Sequence, residues 1–449
     1  MEKENKFDLL NDLLEHKDFH RFREAISRMN EADIADFIEG LSQNNATLAF
    51  RTLPKGLAAE TFSKLPPETQ RTIINSITEQ ELSFIVEELS VDDAVDMLEE
   101  LPANVVIRVL EHATPETRKV INEFLNYPEN SVGSIMTVEY TSLRAHMTVQ
   151  DAIKHIRRIG EDRELIYTCY VTDNRRILEG VVTVKELLLA QDNQRIEDLM
   201  ERNVICAATT EDQEDAIQQM MKYDFISLPV VDLEKRLVGI VTVDDVMDVM
   251  QQEATEDFEK MAAMAPSERP YLKTTVFSLA KNRIAWLLVL MISGMVTGGI
   301  LGKYEAAFST MPLLVTFIPM LTDTGGNAGS QSSTLVIRGM AVGDIKSEDF
   351  LRVLWKELRV SILVGAVLSA VNYLRLMISY PGNKGVALTV SLAMFATVMM
   401  AKTIGGVLPM AAKVLHADPA IMAAPLITTI VDAGSLIIYF TIAQRLLAL

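Results

Sequence analysis

The sequence predicts three architectures in series: an all-α superhelical solenoid, an α/β tandem pair, and a polytopic α-helical membrane domain of five transmembrane helices. Three observations predict this. An apolar residue returns every 12 positions from Leu41 to Ala113. A strand-like segment ending in Gly-x-x-Thr-x-x-acid occurs twice, at Gly180 and at Gly239. Beyond residue 283 come five long stretches nearly free of charge. The expected boundaries are 1–130 for the solenoid, 131–197 and 198–250 for the two α/β modules, 251–282 for a connecting helix and 283–449 for the membrane domain. At 449 residues the chain has length for several domains of roughly 150 residues.

In the solenoid, Leu41, Leu53, Leu65, Ile77, Leu89, Leu101 and Ala113 hold one phase, and Pro54, Pro66 and Pro102 each follow a repeat position. Each unit reads as one short helix with proline in its first turn. Such helices bury their apolar faces only by stacking on neighbours.

In the α/β pair, residues 226–231 and 237–242 are rich in β-branched residues and read as strands, and 151–159 and 211–222 as amphipathic helices. Gly180-Val181-Val182-Thr183-Val184-Lys185-Glu186 aligns with Gly239-Ile240-Val241-Thr242-Val243-Asp244-Asp245. The openings Ser134-Ile135-Met136-Thr137 and Asp198-Leu199-Met200-Glu201 align as well. The duplicated pattern resembles a tandem pair of CBS (cystathionine-β-synthase) modules. That resemblance implies regulation by an adenosine nucleotide such as ATP, or by metal ions, with Asp245 as the ribose-binding carboxylate of the second module. Glu186 stands at the matching position of the first.

The connecting segment, residues 251–265, reads as a helix stopped by Pro266. Spacings of three and four put Glu253, Glu256 and Asp257 on one face, where like charges disfavour the helix unless a cation neutralises them.

The uncharged stretches are residues 284–302, 306–337 broken by Asp323, 360–378 broken by Arg375, 385–401 and 419–444 broken by Asp432. Five segments near the 20 residues that a spanning helix needs predict five spans, with Lys402 placed to snorkel at the end of the fourth. Basic residues crowd before the first span and between the second and third, which sets that side, and the N-terminus, in the cytoplasm. Five spans then put the C-terminus outside. Residues 319–331 combine Pro319 with Gly325, Gly326 and Gly329, a composition that predicts irregular backbone around a wet cavity, with Asn327 and freed carbonyls as neutral ligands. Close packing through small residues is the competing reading. Asp432 lies mid-span with no basic residue before Arg445, the position of an ion-path carboxylate. Asp418 precedes Pro419 at the cytoplasmic mouth of the same span.

The charge divides sharply. Residues 1–270 carry 28 basic and 53 acidic side chains, net −25, and residues 271–449 are net +6. So acidic a soluble half is a poor partner for nucleic acid and a good one for cations. Two cysteines exclude a disulfide framework, and six histidines without ligand spacing argue against structural zinc. No nucleophile–base pair or phosphate loop points to an enzyme.

The domain order, with Gly325-Gly326-Asn327-Ala328-Gly329-x-Gln331 and Asp418-Pro419-Ala420…Thr428-Thr429…Asp432, resembles the MgtE family of bacterial magnesium channels. The resemblance implies a homodimer in the lipid of the cell membrane, a pore on its twofold axis, and Asp432 with Asn327 facing the ion. It also implies magnesium sensing by Asp92 and Asp96 in the solenoid, Asp224, Asp245 and Asp248 in the second CBS module, and Glu253, Glu256 and Asp257 in the connecting helix. Glu60 shares the repeat phase of Asp96 and joins them. Asp323 departs from the family pattern. A proton- or sodium-coupled cation transporter and a non-transporting CBS-regulated receptor are the alternatives.

Overall fold

The computed structural model describes residues 2–447 apart from 100, 102, 161–162, 268–270, 273, 306–309 and 416; the side chains of Asp92 and Asp96 also lie outside the described residues. The chain divides into two units, Met1–Val249 and Met250–Leu449.

The first unit begins with short helices: α1 (Glu2–Glu15), α2 (Phe19–Ile26), α3 (Glu31–Glu39), α4 (Gln43–Thr52), α5 (Lys55–Ser63), α6 (Pro67–Ser76), α7 (Glu79–Glu88), α8 (Val91–Glu99), α9 (Ala103–His112) and α10 (Pro115–Phe124). The 12-residue period is one helix plus one connector. Leu53, Ile77 and Leu89 sit at helix C-caps, Leu53 and Leu89 buried and Ile77 partly buried against the core. Prolines start the helices, Pro54 and Pro66 as N-caps and Pro115 in the first turn, where a missing N–H costs nothing; Pro102 lies outside the described residues. Helices pack on the next but one, α3 on α5, α4 on α6, α5 on α7, α7 on α9 and α8 on α10, and the apolar faces share one continuous core.

Two three-stranded sheets follow. β1 (Tyr140–Leu143), β2 (Leu165–Thr172) and β3 (Leu178–Thr183) form the first, with helices α11 (Val149–Ile159) and α12 (Val184–Leu189). β4 (Ala207–Ala208), β5 (Ser227–Val231) and β6 (Leu237–Thr242) form the second, with α13 (Gln213–Tyr223) and α14 (Val243–Met261). Each sheet has one parallel and one antiparallel pairing, in the same order. Their turns match too: Asp173 Oδ1 accepts from the N–H groups of Arg175 and Ile177, and Asp232 Oδ1 from those of Glu234 and Arg236. Arg176 and Lys235 hold the equivalent left-handed position, at φ 67° and 65°. The duplicated openings exchange partners: Thr137 bridges to Ile240, and Glu201 to Val181. Glycine is needed at that contact, because a Cβ on Gly180 would stand 2.7 Å from Met200 Sδ, and one on Gly239 2.8 Å from Met136 Sδ.

The second unit contains the rest of α14, then α15 (Val276–Lys303), α16 (Ile318–Ala341), α17 (Phe350–Ser379), α18 (Lys384–Val414) and α19 (Ala424–Leu447). The connecting helix ends at Met261, short of the expected end at residue 265, and Ala263 beyond it is left-handed at φ 53°. Among the described residues, four helical segments are long and apolar enough to cross a membrane, those of α15, α17, α18 and α19. Helix α16 has the length, 24 residues, but too many polar groups for that set. It begins at Ile318, later than residue 306 as the hydropathy suggested. The expectation of irregular backbone over 319–331 is overturned: the segment is helical throughout, its glycines serving contact instead. Added Cβ atoms would stand 2.8 Å from Val431 Cγ1 at Gly325, 2.9 Å from Thr428 Cγ2 at Gly326 and 2.7 Å from Ile427 Cγ2 at Gly329. Small residues thus let α16 and α19 close on each other, and Gly405 of α18 lies directly against the backbone of Gly329. Helix α15 has no buried residue.

Candidate functional site

The site is built on the α16–α19 contact. Because one face of α16 is committed to glycine packing, the opposite face is shown outward. Asp323, Asn327, Gln331, Thr334 and Arg338, all at helical spacing, are exposed. Asp432 of α19 is half-buried beside this face, near enough to Asp323 for the two carboxylates to repel. Among the described residues Asp432 has no cationic partner. Thr428 and Thr429 turn their hydroxyls back to the Pro425 carbonyl and hold the turn before it. Two acidic groups and a neutral amide therefore share one polar strip, while freed backbone carbonyls take no part.

A second cluster joins the connecting helix to the start of α19. Asp418 caps the short 3-10 helix Pro419–Met422, accepting from the Ala420 N–H at 2.8 Å. Lys260 Nζ is 2.7 Å from Asp418 Oδ2 and 2.5 Å from Glu256 Oε1. Met261, next along, packs against Ile337, Ala420 and Ala423. The cation required by the acidic face of α14 is thus supplied by the chain itself. Burial opposes the Lys260 charge, but its bonds to Asp418 and Glu256 outweigh that and raise its pKa. Asp257 is held above the ordinary carboxylate range, first by burial and then by the Asp418 charge, with Lys260 working the other way and Glu253 and Glu256 adding to the rise. Lys260 was legible as a residue four past Glu256, the favourable helical order for an ion pair.

Among the described residues, the remaining candidates do not gather into a metal site. Glu60 is exposed on α5, Asp224 is the left-handed C-cap of α13, and Asp248 is exposed on α14. Asp245 is half-buried in the first turn of α14, where the Thr242 hydroxyl donates to it. Thr183 and Glu186 repeat this arrangement as a full capping box. The duplicated Thr-x-x-acid is therefore a helix-start device in both modules, whatever else Asp245 contacts. Asp92 and Asp96 belong to α8, with side chains outside the described residues. Among the described residues, no group of three or more His, Cys, Asp or Glu side chains converges to hold a metal ion within one chain.

Sequence reasoning also placed Lys402 at the membrane surface. The structure corrects this: the side chain is 5% exposed, enclosed between α18 and α16. No snorkelling path exists because Gly405 and Gly329 bring those helices together beside it.

Comparisons with known proteins agree along the whole chain. Residues 318–442 match the MgtE family profile, described as a divalent cation transporter, residues 29–130 the MgtE intracellular N domain, and residues 132–193 and 196–252 the CBS domain. The magnesium transporter MgtE of Thermus thermophilus is 36% identical over 441 residues, 98% of each chain. That of Bacillus subtilis is 36% identical over 325 residues, covering 72% of this chain and 71% of its own. Among solved structures, the cytosolic domain of the Mg2+ channel MgtE in complex with ATP superposes with a TM-score of 0.52 at 36% identity, covering 54% of this chain and 98% of that one. The soluble part of a magnesium transporter gives 0.54 at 30% identity, covering 56% and 99%. Three matched segments in the expected order, and a full-length relative at this identity, establish that the chain belongs to the MgtE family of divalent cation transporters.

Proposed function

We propose that the chain is a magnesium channel or transporter of the cell membrane, working as a homodimer with α15–α19 as five spans. The solenoid (1–130), the CBS modules (131–197 and 198–250) and the connecting segment (251–282) lie on the cytoplasmic side, and the C-terminus lies outside. The observation that carries this reading is the outward polar face of α16 beside Asp432. Asp323, Asn327 and Gln331 cannot face lipid, where a mid-membrane carboxylate alone costs about 3 kcal/mol on insertion scales. A second copy bringing the same face would close a wet path lined by carboxylate, amide and hydroxyl oxygens. Magnesium is a hard cation that sheds water reluctantly, so acceptor groups set around a hydrated ion suit it better than a close cage.

The acidic cytoplasmic residues supply the control. Glu60, Asp92, Asp96, Asp224, Asp248, Glu253, Glu256, Asp257 and Asp418 act as magnesium ligands shared between domains or copies. The second CBS module takes an adenosine nucleotide, with Asp245 held ready by Thr242; the ATP complex of the structural relative supports this.

Asp432→Ala tests the path. Magnesium flux into proteoliposomes is expected to fall at least tenfold while the dimer persists by size-exclusion chromatography; undiminished flux would remove Asp432 from the path. Discrete ohmic openings in single-channel recording distinguish a channel from a coupled carrier, in which flux would follow a proton or sodium gradient.

A further inference from the structure

One charged group is sealed inside the membrane domain, away from the polar strip. Lys402 Nζ of α18 lies 3.4 Å from Ser332 Oγ and 3.5 Å from the Ala328 carbonyl oxygen, both on α16. Ser332 donates its single proton to Glu357 Oε2 of α17 at 2.6 Å, leaving its lone pairs for the ammonium. The serine hydroxyl therefore sits between a cation and an anion from two other helices. Room for this comes from two glycines. Gly405 meets the Gly329 backbone, and a Cβ on Gly406 would stand 2.7 Å from Glu357 Cγ. A buried ammonium is tolerated only with hydrogen bonds and a counter-charge, and within a membrane domain an ionisable residue is a functional candidate by default.

We propose that Lys402 is a positioning residue for the ion path, acting with Ser332 and Glu357 to fix the rotation of α16. The inference rests on the transport reading above. Ala328, whose carbonyl Lys402 reaches, adjoins Asn327 on the polar strip. Turning α16 by a fraction of a turn would take both acceptors away from the ammonium and strand the Glu357 carboxylate. The relay therefore selects one rotational setting and with it the spacing of Asn327 and Asp323 from Asp432. Its expected effect is on how the path discriminates and binds ions, more than on whether the chain folds.

The test measures magnesium and cobalt flux into proteoliposomes for the full-length wild type, K402M, K402M/E357Q and S332A. K402M alone leaves Glu357 without its counter-charge and is expected to lose most flux. The double variant removes both charges at once. It is expected to elute as the wild-type assembly, with a magnesium KM or a magnesium-to-cobalt flux ratio changed at least threefold. A wild-type KM and ratio in the double variant would overturn the proposal, because a merely structural pair would be replaced without that change. Should the double variant fail to assemble, S332A decides: it deletes one hydroxyl, and an unchanged KM and ratio would overturn the proposal equally. Wild-type protein that carries no magnesium refutes the transport reading itself, an outcome read separately from any variant.

Discussion

Asp418 receives two hydrogen bonds of different kinds, one from the Ala420 N–H that it caps and one from Lys260. The second makes Lys260 a tethered cation among Glu256, Asp257 and Asp418. Lys260→Met removes the ammonium that neutralises those three carboxylates, so a divalent ion should be recruited in its place. The expected result is a larger magnesium-induced rise in thermal midpoint for K260M than for the wild type; an equal or smaller rise would mean that magnesium does not compete for this site. Cys169 offers a pH prediction. It is fully buried on β2, and burial pushes its thiol up to about 12, against about 8.5 in an unfolded chain. With the folded pKa raised, the folded state keeps its proton where the unfolded state loses it. The stabilisation is complete below the unfolded value and is lost as pH rises from there toward the folded one. Cys169→Ala should flatten this alkaline loss, read as thermal midpoint against pH for the soluble region. Cys169 should also resist maleimide modification at neutral pH while the protein is folded.

At the scale of elements, the glycines decide what is tolerated. Gly405→Ala forces α18 away from the Gly329 backbone and should cost about 1–3 kcal/mol as an overpacked contact, more if the crossing cannot relax. Gly56→Ala on α5 meets open space and should stabilise the solenoid by up to about 1 kcal/mol through helix propensity. Thermal midpoints of the two variants moving in opposite directions would confirm the contrast; a stabilising G405A would contradict the crossing. These elements also show where sequence reading succeeds. The 12-residue period was legible because each connector packs one apolar side chain against the core, and the CBS duplication because strand, turn and cap recur together. Residues 319–331 were misread in backbone because glycine serves both flexibility and close packing, and composition does not separate the two; only the neighbours Thr428, Val431 and Gly405 do. Lys402 was misplaced for the same reason, since its counter-charge lies 45 residues away on another helix.

Across the whole molecule the division of charge is the governing feature. Residues 1–270 carry a net −25, which becomes about −50 in two copies, and self-repulsion of that size favours separation unless cations neutralise it. Magnesium bound between acidic surfaces would favour a closed arrangement, and the connecting segment after α14 leads straight into α15. A ligand shifts such an equilibrium only by its differential affinity for the two states, and several weak sites acting together would give a steep response. The expected behaviour is a path shut when cytoplasmic magnesium is plentiful and open when it is scarce. Limited proteolysis of the 250–283 segment should therefore slow when millimolar-scale magnesium is added. Deleting residues 1–130, or substituting Asp245→Ala with Asp248→Ala, should relieve inhibition of flux by internal magnesium while leaving the path itself able to conduct. If cleavage is indifferent to magnesium, and internal magnesium inhibits both altered proteins as it does the wild type, the solenoid and the second CBS module are not the brake, and control must reside nearer the membrane domain, where the Lys260–Asp418 junction would be the next place to perturb.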